Sequence, residues 1–156
     1  MSYEKYYEGR NQVNIDYPLD LKAIVNEDIY PLMEKLKANG LHIGMASSSP
    51  RDKVLQNLDT LGLTDYFEII VSGLDFKHSK PDPEIYLSVL KRMDTDARNA
   101  LVLEDSVVGG EAAYRAGIDC IQVPDIIAPT DVQKKQTVYT AKDLIEAKDY
   151  IKENRV

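Results

Sequence analysis

One stretch, Leu101 to Gly117 (LVLEDSVVGGEAAYRAG), limits what this chain can fold into more than any other. An apolar run bounded by turn residues reads as a fully buried strand. It ends in adjacent carboxylates, Glu104 and Asp105, followed by a glycine turn and a short Ala-rich helix that stops at Gly117. Carboxylates at the C-terminal end of such a strand lie where open α/β sheets bind ligands. Two neighbouring acids repel each other, so a cation is expected between them and any anionic substrate. Burying them without one would be costly. The bland alternative is a pair of solvated loop acids, the usual fate of a carboxylate.

The rest of the chain repeats the strand-then-helix pattern. Pro31 suits a first helical position, Leu32, Met33 and Leu36 form an apolar face, and Gly40 stops the helix. Leu41 to Ala46 reads as a strand ending at Ser47, Ser48 and Ser49, with Ser49 expected to cap the next helix and Pro50 at its first position. Val54, Leu55, Leu58 and Leu61 give that helix a buried stripe. Phe67 to Val71 is a second strand. After His78-Ser79-Lys80-Pro81, a helix starts at Asp82-Pro83 and runs to about Met93. Ile118 to Val123 is a further strand, Pro124 to Gln136 reads mostly as loop, and Ala141 to Asn154 as a last amphipathic helix. Four alternations argue parallel βαβ units and a doubly wound α/β sheet. Residues 1 to 25 are less regular. Tyr3, Tyr6 and Tyr7 suit one helix face, and Pro18 marks a loop.

Each candidate functional residue follows a strand. Ser47, a hydroxyl before backbone amides that enter a helix, suits an anion; Ser49 fits a helix cap as well as a ligand contact. Pro81 restricts the backbone of Lys80 and so aims its side chain, which can balance phosphoryl charge. His42 and His78 look too isolated for a transition-metal site, although His78 can approach a ligand from its loop. The acids of the Asp94–Asp96 segment and Asp125 read as ordinary loop residues, and Cys120 as a buried structural thiol. With a net charge of −7 the chain has no basic face for nucleic acid or acidic membranes. A lone cysteine and the lack of an apolar signal or spanning run point to a cytoplasmic protein.

Hydroxyl, lysine and acid pair, in that order, resemble the haloacid dehalogenase-like (HAD) hydrolase superfamily, particularly its β-phosphoglucomutase-like phosphatase branch. MASSSP is similar to the second family motif, SKPDPEIY to the third and LVLEDSVVGGEAAYRAG to the fourth. The resemblance implies that Ser47 and the Ser48 amide bind a transferring phosphate. It further implies that Ser49 approaches substrate, that Lys80 stabilises charge, and that Glu104 and Asp105 help hold Mg²⁺. The substrate class implied is a small phosphorylated metabolite. Gly110 departs from the apolar residue usual in the family, which should loosen the helix start.

The family's first motif, an Asp-x-Asp at the end of the first, central strand, has no match before Ser47. Its leading aspartate is the family's nucleophile. Residues 1–28 resemble the remnant of a helical cap and linker, and 29–156 the α/β core without its first strand. Positioning groups alone do not supply an in-line nucleophile, so this chain by itself is expected to be inactive. Unpaired strand edges are aggregation-prone. A complementing N-terminal segment, a homodimer or a rearranged sheet is expected to cover them. Gln12 to Pro18 would present Asp16 as a substitute strand but is too polar for a central one. The reading from a different class is a non-catalytic interaction or regulatory module on an eroded HAD scaffold. A phospho-receiver domain fits less well, because its lysine usually follows its acids.

Overall fold

The computed structural model describes residues 28–124 and 128–155. The Tyr3, Tyr6 and Tyr7 helix face, the cap remnant, the Gln12 to Pro18 segment with Asp16, and Asp125 lie outside the described residues. The architecture is α/β with parallel strands, as the alternation predicts.

Helix α1 (Ile29–Ala38) buries Leu32 and Met33 and carries Lys35 and Lys37 in its last turn, where cations suit the helix dipole. Strand β1 (Gly44–Ser47) leads into α2 (Arg51–Leu61), which Gly62 ends in the left-handed region at φ 69°. Strand β2 (Ile69–Ser72) pairs parallel with β1, Ser47 lying opposite Ser72. Helix α3 (Glu84–Arg92) follows, then β3 (Leu101–Glu104), α4 (Val107–Arg115) and β4 (Asp119–Gln122), with β3 and β4 parallel and Glu104 opposite Gln122. The chain closes with α5 (Asp131–Lys134), β5 (Tyr139–Thr140) beside β4, and α6 (Leu144–Asn154).

Among the described residues the strands form two sheets, β1-β2 and β3-β4-β5. Helix α1 packs on both, with Leu32 in a core with Ile121 of β4 and Met33 in a core with Ile70 of β2, and helix α3 joins them too. Its Ile85, Tyr86 and Leu90 share one core with Val71 of β2, Cys120 of β4 and Ala112 and Ala113 of α4; Ala46 of β1 and Val102 of β3 pack against it. Each large apolar side chain taken fully from water contributes about 1.5–3 kcal/mol, so this shared core is a strong tether between the sheets.

Several local expectations are corrected. Leu101, Val102 and Leu103 are half-buried, not fully buried, whereas Cys120, Ile121 and Gln122 of β4 are buried. The reason is position: β3 ends its sheet, while β4 has a strand on each side. The first strand starts at Gly44 rather than Leu41, because its pairing with β2 begins at Gly44, opposite Ile69. Pro50, not Ser49, occupies the N-cap of α2, and no side chain caps that helix. Within the expected loop of Pro124 to Gln136, Thr130 and Gln133 form a reciprocal capping box that starts α5.

Candidate active site

Glu104, the last residue of β3, carries five hydrogen bonds on its carboxylate. One carboxylate oxygen, Oε2, accepts from Lys80 Nζ at 2.7 Å and from Tyr86 Oη at 2.6 Å. The other, Oε1, accepts from the Asp105 amide at 3.2 Å, the Ser106 amide at 3.2 Å and the Ser106 hydroxyl at 3.0 Å. The Lys80 and Glu104 side chains are only 9% and 10% exposed, so this is a buried ion pair. The ammonium also lies 4.9 Å from the centre of the Tyr86 ring, within cation–π range.

Sequence explains each placement. Ser106 is the N-cap of α4, accepting from the Gly109 amide at 3.1 Å while donating to Glu104. Gly109 lets the carboxylate tuck against the first helical turn; a Cβ there would fall 2.0 Å from Glu104 Cδ. Lys80 enters through a cis peptide to Pro81. Tyr86 sits on the buried face of α3 with Ile85 and Leu90.

Burial by itself would raise the carboxyl of Glu104. The Lys80 charge and the hydrogen bonds from Lys80 and Tyr86 more than offset it and hold the group down at about 2. Burial, then the adjacent Glu104 charge, pushes the Tyr86 phenol far above its ordinary value, so it remains a hydrogen-bond donor. Burial likewise pushes the Cys120 thiol up to about 12. A fully buried thiol of that kind is inert, as its place in the strand predicts.

The serine loop is a separate feature. Ser47 is half-buried, and Ser48 and Ser49 are exposed. The Ser49 amide donates to Ser47 Oγ at 3.2 Å, and buried Ser72 donates to the Ser49 carbonyl at 2.7 Å. The backbone of Gly73 packs beside Ser48. Lys80 and Glu104 are thus brought together directly, whereas no hydrogen bond joins either of them to Ser47, Ser48 or Ser49. Asp105 follows Glu104 and is exposed.

Magnesium takes oxygen ligands from one or two carboxylates, water and phosphate. Asp105, an exposed hard donor at a strand end, fits such an ion. Glu104 fits it poorly, since an ionised carboxylate has about four acceptor sites and five donors already fill them.

His78 is not isolated, contrary to expectation. Its Nδ1 lies 3.1 Å from Glu84 Oε2, and Asp82 completes a trio whose ligand-type atoms lie within 4.8 Å of one another. Hydrogen bonds inside the trio account for the arrangement: Glu84 accepts from the His78 amide at 2.9 Å, and Asp82 from the Glu84 amide at 2.9 Å. Gly110 makes room rather than merely loosening the helix. A Cβ there would lie 2.5 Å from Gln122 Oε1, and buried Gln122 donates to the Ser106 carbonyl at 3.0 Å.

Tyr86, Ser106, Gly109 and Gln122 went unrecognised in the sequence. Signals for them exist. A tyrosine on an otherwise apolar helix face needs a partner for its hydroxyl, and a serine directly before a helix is a standard cap.

Parallel strands that end in a serine loop and a buried lysine–acid pair define an α/β protein with its ligand edge at the strand C-termini. The haloacid dehalogenase-like hydrolase pattern matches residues 3–123, and the chain belongs to that family. It is 40% identical over 96 residues to a phosphorylated carbohydrates phosphatase of Thermotoga maritima, covering 62% of this chain and 44% of that protein. Among solved structures it is similar to a HAD phosphatase from Thermococcus onnurineus, at 25% identity and a TM-score of 0.74 over 85% of this chain and 60% of the other. A β-phosphoglucomutase from Clostridium difficile aligns at 26% identity and a TM-score of 0.67, over 81% of this chain and 54% of the other. The chain therefore spans less than half the length of the Thermotoga relative.

Proposed function

We propose that this chain carries part of a magnesium-dependent phosphatase or phosphoglucomutase-like site acting on a small phosphorylated metabolite. In this reading Ser47, the Ser48 amide and Ser49 cradle the phosphate, and Lys80 balances its charge. Glu104 and Asp105 form the acidic side, where Mg²⁺ would supply charge neutralisation at the transferring phosphoryl group. The observation that carries the reading is the buried Lys80–Glu104 pair at 2.7 Å, a fixed charge at the strand ends. No Asp-x-Asp precedes Ser47 in the 156 residues, so the chain alone is a half-site without its nucleophile. A further strand beside β1 and β3, which each end a sheet among the described residues, would come from a complementing N-terminal segment or a second copy. The lone, buried Cys120 suits a reducing, cytoplasmic setting. No helix among the described residues is long and apolar enough to cross a membrane.

The purified chain is expected to bind Mg²⁺ and inorganic phosphate weakly in calorimetric titrations and to leave p-nitrophenyl phosphate unhydrolysed. Magnesium-dependent turnover that disappears in Asp16→Asn would overturn the half-site reading.

A second reading, a non-catalytic interaction or regulatory module, is favoured by Glu104 being fully bonded without any ligand. It expects partner binding to persist in Lys80→Ala and without Mg²⁺.

A further inference from the structure

Away from the strand ends, His78, Asp82 and Glu84 bring one ligand-type atom each to within 4.8 Å of one another. They border a shallow depression of about 400 Å³ that Phe76, Leu87 and Lys91 also line. Glu84 is the first residue of α3 and Asp82 lies two before it, so both acids have ordinary work at a helix start. That work uses one oxygen of each. Asp82 Oδ1 accepts from the Glu84 amide, and Glu84 Oε2 accepts from the His78 amide and faces His78 Nδ1 at 3.1 Å. Asp82 Oδ2 and Glu84 Oε1 accept no hydrogen bond from a described residue.

Charge is a second, separate observation. Among the described residues no lysine or arginine places its charged nitrogen within 4.0 Å of either carboxylate, although Lys91 lines the same depression. Two carboxylates therefore share one imidazole, which is a cation only when protonated. The donor set selects the missing partner. One imidazole with two carboxylates suits zinc and its first-row neighbours, whereas magnesium and calcium prefer oxygen alone. Ligands about 2.1 Å from a tetrahedral zinc lie roughly 3.4 Å apart, so closing the trio takes shifts of roughly 1.4 Å at most. The His78 and Glu84 side chains are 57% and 37% exposed, free enough to turn toward an ion without opening the core.

We propose that His78, Asp82 and Glu84 form a divalent transition-metal site of the zinc class, with water from the open depression in the fourth position. The imidazole then carries its proton on Nε2 and turns its Nδ1 lone pair to the ion. The three ligands bracket Lys80 and Pro81 in sequence, so the ion ties together the two ends of the turn that carries Lys80. The proposal goes beyond the phosphate-and-magnesium reading and is independent of it, because none of its donors is a group assigned there.

The test uses the full chain, freed of metal with EDTA and titrated with Zn²⁺ in a calorimeter while Mg²⁺ is kept in large excess. One Zn²⁺ per chain should bind, and His78→Ala and Asp82→Asn should each weaken it by at least about tenfold. At a hundredfold excess over its Kd, Zn²⁺ should raise the melting temperature of the wild type by roughly 5–10 °C and that of Asp82→Asn far less. The wild type also carries its own control, since His42 is the only other histidine and bonds Glu68 on a different part of the surface. In ¹H–¹⁵N spectra of the imidazoles, Zn²⁺ should move the His78 nitrogens and leave those of His42 in place. Zinc binding that survives His78→Ala undiminished would overturn the proposal. So would a shift at His42 in place of His78, displacement of Zn²⁺ by the excess Mg²⁺, or a wild-type chain that takes up no Zn²⁺.

Discussion

Glu104 ends β3 with five donors on its carboxylate, whereas Ser47 ends β1 with a hydroxyl that accepts one bond, from the Ser49 amide. Both residues sit at the C-terminal end of a parallel strand, and both precede a helix. The difference follows from charge and burial. A buried carboxylate or ammonium without a partner is costly, so the charged half has to be fully satisfied within the protein itself. A neutral serine loop at the surface can leave amides and hydroxyls to water at little cost. The acid–lysine half is thereby preorganised, whereas Ser48 and Ser49 of the serine half stay exposed to solvent.

The widest separation between the halves should come from Lys80→Met. It leaves the Glu104 charge buried without its cation, a change that typically costs about 3–5 kcal/mol. Urea denaturation at neutral pH reads it directly. The pH dependence gives an independent check. Glu104 titrates lower in the folded chain than its ordinary value of 4.5, so its contribution is fully present above 4.5 and is lost as pH falls toward 2. Wild-type stability should decline through that window, and Lys80→Met should decline less. Equal slopes would show that the pair is not what stabilises this half.

Glycines offer a second contrast. Alanine at Gly109 places a Cβ on the Glu104 carboxylate, 2.0 Å from Cδ, and the carboxylate cannot retreat without breaking its bonds. Overpacking there should destabilise by about 3 kcal/mol. At Gly73, beside the serine loop, the nearest heavy atom would be Ser48 Cα at 3.3 Å, a squeeze that the exposed loop can relieve. The expected loss is below about 1 kcal/mol. Thermal melts of Gly109→Ala and Gly73→Ala suffice, and similar losses would erase the distinction between a locked half and an open one.

How far the sequence discloses this arrangement depends on the range of each interaction. The alternating pattern and the strand-end positions of Ser47 and Glu104 are legible because they rest on local periodicity. The pairing of Lys80 with Glu104 is not, since it spans 24 residues and crosses from the loop before α3 to the end of β3. Read separately, Lys80 suggests a phosphate contact and Glu104 a metal ligand, with nothing local to show that they pair. Tyr86 disappeared into the apolar face of its helix. Gly110 and Gln122 make sense only as a pair, one giving up a side chain where the other fills the space. The two-residue strand at Tyr139–Thr140 is too short to show any period. At Ser49 a local capping rule lost to tertiary structure, because buried Ser72 holds its carbonyl and Ser47 accepts from its amide.

That hold on Ser49 supplies the smallest of the expected effects. Ser72 is 1% exposed; its hydroxyl donates to the Ser49 carbonyl at 2.7 Å and accepts from the Leu74 amide at 3.2 Å. Ser72→Ala removes both bonds but leaves no buried charge behind. The Ser49 carbonyl lies in an exposed loop where water can replace the lost donor. The stability loss should therefore be about 1 kcal/mol, well under that of Lys80→Met. Hydrogen exchange locates it, with faster exchange expected at the Ser49 and Leu74 amides and no change at the Ser106 and Gly109 amides. Acceleration that reached Ser106 would mean the two strand ends are mechanically coupled, and the open half would then share the rigidity of the locked one.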